Sequence, residues 1–291
     1  MWSLKDKAKE NPRCNPSKAE FPRATSVAAI GSVMGGSASD LRVANNGEPG
    51  MAHGRMGWLE GDLTKFYSGA AARNAEGISA VLRRHLAGAP PGALVLEVGS
   101  GSGQHVAHFA HLLPHLAFQP TEFPGHPNPL AEPQDEGRIL RSIDAYTRGL
   151  GNVRPAAPLD ASALAASSLC EDGEAVCIVA INVAHISPPA VLGGLVAGAA
   201  RKLRPGGCLV LYGPWAVDGA VAGEGNVRFD AMLRRKDPRF GLRDTAVLKA
   251  LGVIFGLELS ETVFFEASNN HALVLVKKRA AGESARSSIA A

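Results

Sequence analysis

The segment Leu94-Val-Leu-Glu-Val-Gly-Ser-Gly-Ser-Gly-Gln104 carries the clearest chemical signal in the chain. A short apolar run ends in Gly99, Gly101 and Gly103, with Ser100 and Ser102 between them. Glycines at a strand-to-helix turn accept positive φ and let the main chain come close to a ligand. A dinucleotide fingerprint starting at Gly99 needs glycine at 104, where Gln104 stands. Starting at Gly101 it needs glycine or alanine at 106, where Val106 stands. Both frames fail, which disfavours an NAD-dependent dehydrogenase. Four histidines follow the loop. At about 100° per residue, His105, His108, His111 and His115 fall opposite the apolar Val106, Phe109, Leu112 and Leu113. That projection predicts a solvent-facing histidine stripe and no metal site. Cys14, Cys170, Cys177 and Cys208 show no C-x-x-C pair, so neither zinc nor a disulfide framework is expected.

The alternating glycines, with Glu97 inside the preceding strand, resemble the first motif of class I S-adenosylmethionine-dependent methyltransferases. In those proteins the loop wraps the methionine portion of the cofactor. Glu97 suits that task, because an acid next to a cationic amino acid is favourable. The resemblance assigns Glu97, Gly99, Ser100, Gly101 and Gly103 to cofactor binding. An acid about 20 residues further on is expected to receive the ribose hydroxyls. Glu122 lies 19 positions after Gly103. Asp160 follows the expected third strand, where this fold makes an adenine contact.

These residues need elements to hold them in place. The pattern alternates between helical and extended periods. Helices are expected over 74–86, 104–113, 139–150, 189–203 and 244–255, the last capped by Asp244. Strands are expected over 93–98, 117–120, 175–181 and 208–212, and 257–266 and 271–278 form a terminal pair. The alternation predicts an α/β fold with a doubly wound, mostly parallel seven-stranded sheet and an antiparallel last strand. In such sheets ligands sit beyond the carboxyl ends of the strands. Asn182 and His185, just past 175–181, are therefore the expected catalytic positions, with Asn182 expected to contact the cofactor as well. His185 is a base or acceptor-positioning group in that reading, or a structural histidine beside a helix that starts at Ser187-Pro188.

More motifs, taken in order, resemble one specific family. They are Ala70-Ala-Ala-Arg-Asn74, Gln119-Pro-Thr-Glu122, Ile181-Asn-Val-Ala-His-Ile-Ser-Pro188, Leu211-Tyr-Gly-Pro214, Gly225-Asn-Val-Arg-Phe-Asp230, Asp237-Pro-Arg-Phe-Gly-Leu-Arg-Asp244 and Ser268-Asn-Asn270. The family is that of methyltransferase-like protein 26 and its bacterial relatives. The resemblance implies a class I methyltransferase fold, S-adenosylmethionine as cofactor and an acceptor that is not identified. Arg73 and Asn74 then begin a helix that either covers the cofactor or is merely capped there. The chain departs from the family in an apparent insertion, Pro124 to Arg138, with four prolines.

Composition sets the limits. The 291 residues are 46% hydrophobic and 20% charged, enough apolar material for one large domain, expected over 62–279. Residues 1–61 and 280–291 lack a sustained period and read as disordered extensions. A net charge of +3 spread along the chain gives no basic patch, so a nucleic-acid partner is not expected. No apolar run is long enough to cross a bilayer. The cysteine spacing and polar start point to the cytoplasm. Arg, Ser and Ala in the first sixty residues leave an organellar transit peptide as the alternative, against which Asp6, Glu10, Glu20 and Asp40 speak. The sequence thus predicts a methyltransferase acting on a small molecule or protein, the rival being a cofactor-binding partner protein with little catalysis.

Overall fold

The computed structural model describes residues 56–59, 62–124 and 137–279. The expected disordered extensions, apart from 56–59, and most of the inserted segment lie outside the described residues. In chain order the elements are β1 (Met56–Leu59), β2 (Asp62–Ser68), α1 (Gly69–Leu86), β3 (Leu94–Val98), α2 (Gln104–Leu112), β4 (Ala117–Glu122), α3 (Arg138–Thr147) and β5 (Ala157–Pro158). They continue with β6 (Ala175–Ile181), α4 (Pro189–Lys202), β7 (Leu203–Gly213), β8 (Trp215–Val217), β9 (Ala220–Val221), α5 (Glu224–Lys236), β10 (Arg243–Asp244), α6 (Thr245–Phe255), β11 (Leu257–Phe265) and β12 (Asn270–Lys277).

Seven strands form the central sheet in the order β11-β12-β7-β6-β3-β4-β5. β5, β4, β3, β6 and β7 run parallel, and β12 runs antiparallel to both β7 and β11. The expected architecture is therefore present. β3 and β6 are buried along their whole length, which is why they read as continuous apolar runs rather than alternating ones. Leu94, Leu96 and Val98 face one layer with Ile178, Leu209 and the α4 residues Leu192, Leu195 and Val196. Val95 faces the other layer, with Val179, Val210, Ile78 and Leu82 of α1 and Phe109 of α2. After β3 the chain turns to β4 and β5 on one side, then crosses to β6 on the other. That reversal opens a crevice at the carboxyl end of β3, where the glycine loop begins.

The structure differs from the expected elements in several places, among them β7, which starts at Leu203 rather than 208. α1 starts at Gly69, capped by Ser68, whose Oγ accepts the Ala71 N–H at 3.3 Å. Arg73 and Asn74 thus lie in its second turn and do not cap it. β1 pairs antiparallel with β2, ahead of the expected domain start at 62. α5 buries only Leu233, so it gives almost no apolar period from which to read a helix.

Candidate cofactor site at the carboxyl edge of the sheet

The three glycines of the loop do different work. All have positive φ: 72° at Gly99, 55° at Gly101 and 93° at Gly103. A Cβ on Gly103 would lie 2.6 Å from the Ile143 Cα, and one on Gly99 would lie 2.6 Å from a Val183 methyl. These two are close-packing glycines. A Cβ on Gly101 would meet nothing within 4 Å, so the open space of the loop lies there.

Glu97 sits beneath this loop at the end of β3. It is 1% exposed, and its Oε2 has no hydrogen-bond partner. Burial pushes its carboxyl up to about 7, the hydrogen bond with Ser100 works against that rise, and the nearby charge of Glu122 adds to it. A buried carboxyl with an unused oxygen is costly unless a partner completes it. A cationic ligand would do so.

Glu122, at the end of the neighbouring strand β4, accepts the Gly101 N–H at 2.7 Å and the Phe123 N–H at 2.8 Å. Glu122 thereby shapes the loop itself. A carboxylate offers about four lone-pair sites, so two remain for ligand hydroxyls. Ser100 ties the loop to β4 as well, donating its N–H to the Thr121 carbonyl at 2.8 Å and accepting the Thr121 N–H at 3.2 Å. Asp160 follows β5 on the same edge. It is exposed and occupied locally, with Oδ1 accepting the Ser162 N–H at 2.9 Å and hydroxyl at 2.6 Å.

Asn182 and His185 come together past β6. Asn182 adopts φ of 59°, and its N–H donates to the Tyr212 carbonyl at 2.8 Å. Both side chains lie against Gly213: a Cβ there would be 3.2 Å from the His185 ring and 3.4 Å from the Asn182 Oδ1. His185 is buried edge-on against Phe229 of α5 at 5.5 Å. Burial, helped by the Arg243 charge, pulls its pKa down to about 3. The ring is therefore neutral across the working range and a poor proton acceptor. Arg243 donates to the carbonyls of Ala184 and Ser187 and so holds the turn. Ser187 does not cap α4. Its hydroxyl donates back to the Val183 carbonyl at 2.9 Å, and Pro188 occupies the cap. Nearby, the Asn270 amide donates to the Tyr212 hydroxyl at 3.1 Å, and the Asn226 amide donates to the Asn269 carbonyl at 2.9 Å.

The solvent-facing stripe predicted for the histidines holds at His111 and His115, which are exposed, and fails at its first two members. His105 is 7% exposed, and its Nε2 lies 2.7 Å from the Asn74 Oδ1. α1 packs on that side of α2, so the second helix buries what a single-helix projection leaves in water. His108 is half-buried beside Glu76. Among the described residues no group of three histidine, cysteine or acidic side chains is placed to hold a metal. Cys170, Cys177 and Cys208 are buried free thiols. Sequence reasoning also missed Gln104, Ser142 and Arg243, whose roles are long-range hydrogen bonds with no local pattern.

Residues 65–277 match the model of a family described as "Protein of unknown function (DUF938)". The chain belongs to that family. Among solved structures it is similar to an O-methyltransferase family protein from Burkholderia thailandensis, at 16% identity and a TM-score of 0.56, with 72% of this chain and 58% of that one covered. It is similar also to a putative sarcosine dimethylglycine methyltransferase from Galdieria sulphuraria, at 14% identity and a TM-score of 0.55, covering 74% and 92%. A third is human N-acetylserotonin methyltransferase in complex with SAM, at 12% identity and a TM-score of 0.54, covering 72% and 53%. The chain spans a little over half the length of several such relatives. These likenesses establish the fold: this DUF938 chain has the Rossmann-like fold of class I methyltransferases. Among its described residues no helix is long and apolar enough to cross a membrane.

Proposed function

We propose that the chain binds S-adenosylmethionine at the glycine loop and transfers its methyl group to a small-molecule or protein acceptor, in the manner the resemblance to methyltransferase-like protein 26 implies. The observation that carries this reading is the unpartnered Glu97 oxygen, buried under the open face of Gly101 at the switch point of the sheet. The fit is chemical. An acid without a partner suits the cationic amino-acid end, and the free lone pairs of Glu122 suit the ribose hydroxyls. Asp160, just past β5, is the candidate for the adenine end.

Bound there, S-adenosylmethionine supplies a methyl group on an activated sulfonium. The chain then has to align an acceptor with that methyl, and alignment alone can supply much of the rate. Asn182 and His185 are the proposed aligning pair. With its pKa near 3, His185 offers a hydrogen bond to the acceptor rather than a base for its proton. This favours acceptors that are nucleophilic without a base, or that lose their proton to solvent.

The test is incubation of the purified protein with labelled S-adenosylmethionine and fractionated metabolites and proteins. Label transfer together with S-adenosylhomocysteine formation supports the reading. Tight binding without turnover would favour a cofactor-binding partner protein, and no binding would overturn the reading.

A further inference from the structure

His105 is a buried polar side chain that neither loop geometry nor catalysis has used so far. Its ring stacks on Phe109 at 5.7 Å, and its single side-chain hydrogen bond among the described residues is the 2.7 Å contact with the Asn74 Oδ1. Burial holds its pKa down at about 4, so the ring is neutral. Its partner atom is an amide oxygen, so Nε2 carries the proton and donates it. That bond fixes which way the Asn74 amide faces. The oxygen is committed to α2, and the amide nitrogen of this half-buried residue has no protein partner among the described residues.

The placement of Asn74 is fixed by more than this contact. The Ser68 N–H donates to the Gln104 Oε1 at 2.6 Å. The Phe66 N–H donates to the Ser142 Oγ at 2.8 Å, and the Ser142 hydroxyl donates in turn to the Ser102 carbonyl at 2.8 Å. The start of α1 is thus fastened to loop residues 102 and 104, while His105 fastens its second turn. On the same face of the sheet, under the loop, lies the unpartnered oxygen of Glu97.

We propose that Asn74, oriented by His105 as a positioning residue, donates its amide N–H to the carboxylate of an α-amino-acid ligand at the glycine loop. The inference rests on the cofactor reading above and adds to it a division of labour: Glu97 for the ammonium, Asn74 for the carboxylate. A neutral donor has an advantage here. A cationic side chain beside the carboxylate would repel the ammonium and sulfonium of the same ligand, and in a partly buried site that repulsion is large. An amide gives direction without charge, and a neutral His105 preserves the same condition. Arg73, about 100° round the helix, is exposed.

The experiment compares S-adenosylmethionine with its decarboxylated analogue, which keeps the sulfonium and the ammonium but lacks the carboxylate. Titration calorimetry is run on wild type, Asn74→Ala, His105→Leu, His105→Gln and Glu97→Gln. Asn74→Ala and His105→Leu are expected to lose about 10- to 100-fold in affinity for S-adenosylmethionine, the loss of a hydrogen bond to a charged group, and less than about threefold for the analogue. His105→Gln, whose amide can donate to the same oxygen, is expected to recover most of the loss. Glu97→Gln is expected to weaken both ligands. Equal weakening of both ligands by Asn74→Ala would overturn the assignment, as would a His105→Leu variant with an unchanged ratio. Wild type that binds neither ligand would instead overturn the cofactor reading and this assignment with it.

Discussion

The two halves of the sheet edge are built on opposite principles. At the end of β3 and β4 the loop is rigid but incomplete. Its backbone is tied to Thr121 and Glu122, yet Glu97 is left with a bare oxygen and Gly101 faces open space. At the end of β6 and β7 the structure is closed. His185 is packed against Phe229, Asn182 fills the gap above Gly213, and Arg243 and Tyr212 take up the neighbouring polar groups. The first region holds a buried carboxylate oxygen that a cationic ligand relieves, whereas the second leaves an indole nitrogen, Trp215 Nε1, and an imidazole nitrogen, His271 Nδ1, without partners. An affinity should therefore reside in the β3–β4 half, while the β6–β7 half contributes shape and orientation.

Gly101→Val breaks the comparison most sharply. It places a branched side chain at φ of 55° in the one open part of the loop, so S-adenosylmethionine binding should vanish while the fold persists. Calorimetry on the folded variant showing wild-type affinity would move the site elsewhere. Glu97→Gln tests the cost of burying that carboxylate. A carboxyl raised from 4.5 to about 7 in the folded state favours folding below pH 4.5 and loses that advantage as pH rises through 7. Removing it should leave the pH 4 melt unchanged and stabilise the protein at pH 8, by up to on the order of 3 kcal/mol. Equal melting temperatures for the two proteins at pH 8 would show that the buried acid carries no such cost.

The β6–β7 half should respond differently. Held near 3, the His185 ring should stay neutral from pH 5 to 8, and nitrogen NMR of its imidazole should show no titration there. A midpoint near 6.5 would restore it as a general base. The smallest effect expected is at the chain start. A protein beginning at residue 62 lacks β1 and should melt a few degrees below one beginning at 56, since each kcal/mol is worth about 2–4 °C at this size. Identical melting would show that the β1–β2 pairing adds nothing to the domain.

What the sequence revealed follows the same division. β3, its glycines and β6 were legible because strands buried on both faces are unbroken apolar runs, and a helix entered through glycines has few other uses. Asp244 marked the start of α6 because its side chain caps a neighbour two residues on, at 2.7 Å from the Ala246 nitrogen. The burial of His105 was not legible. α2 buries His105, Val106, Ala107, Phe109 and Ala110, which span more than one stripe, because α1 covers a second side. The start of α1 was hidden by a run of small residues, Gly69-Ala-Ala-Ala72, which carries no period. Nor does any spacing show that Glu97 keeps an unpartnered oxygen while Glu122 has two N–H donors. That distinction belongs to tertiary geometry.

The central claim is that the ionised Glu97 carboxylate holds a cationic cofactor at the loop, and calorimetric affinity for S-adenosylmethionine at two pH values tests it most directly. With the carboxyl titrating at about 7, each pH unit below that value costs wild type about tenfold, so binding at pH 5.5 should be roughly 20-fold weaker than at pH 7.5. Glu97→Gln should bind weakly at both, with no pH dependence between them. Wild-type affinity that is flat across this range, or a Glu97→Gln protein that binds as tightly as wild type, would contradict the account.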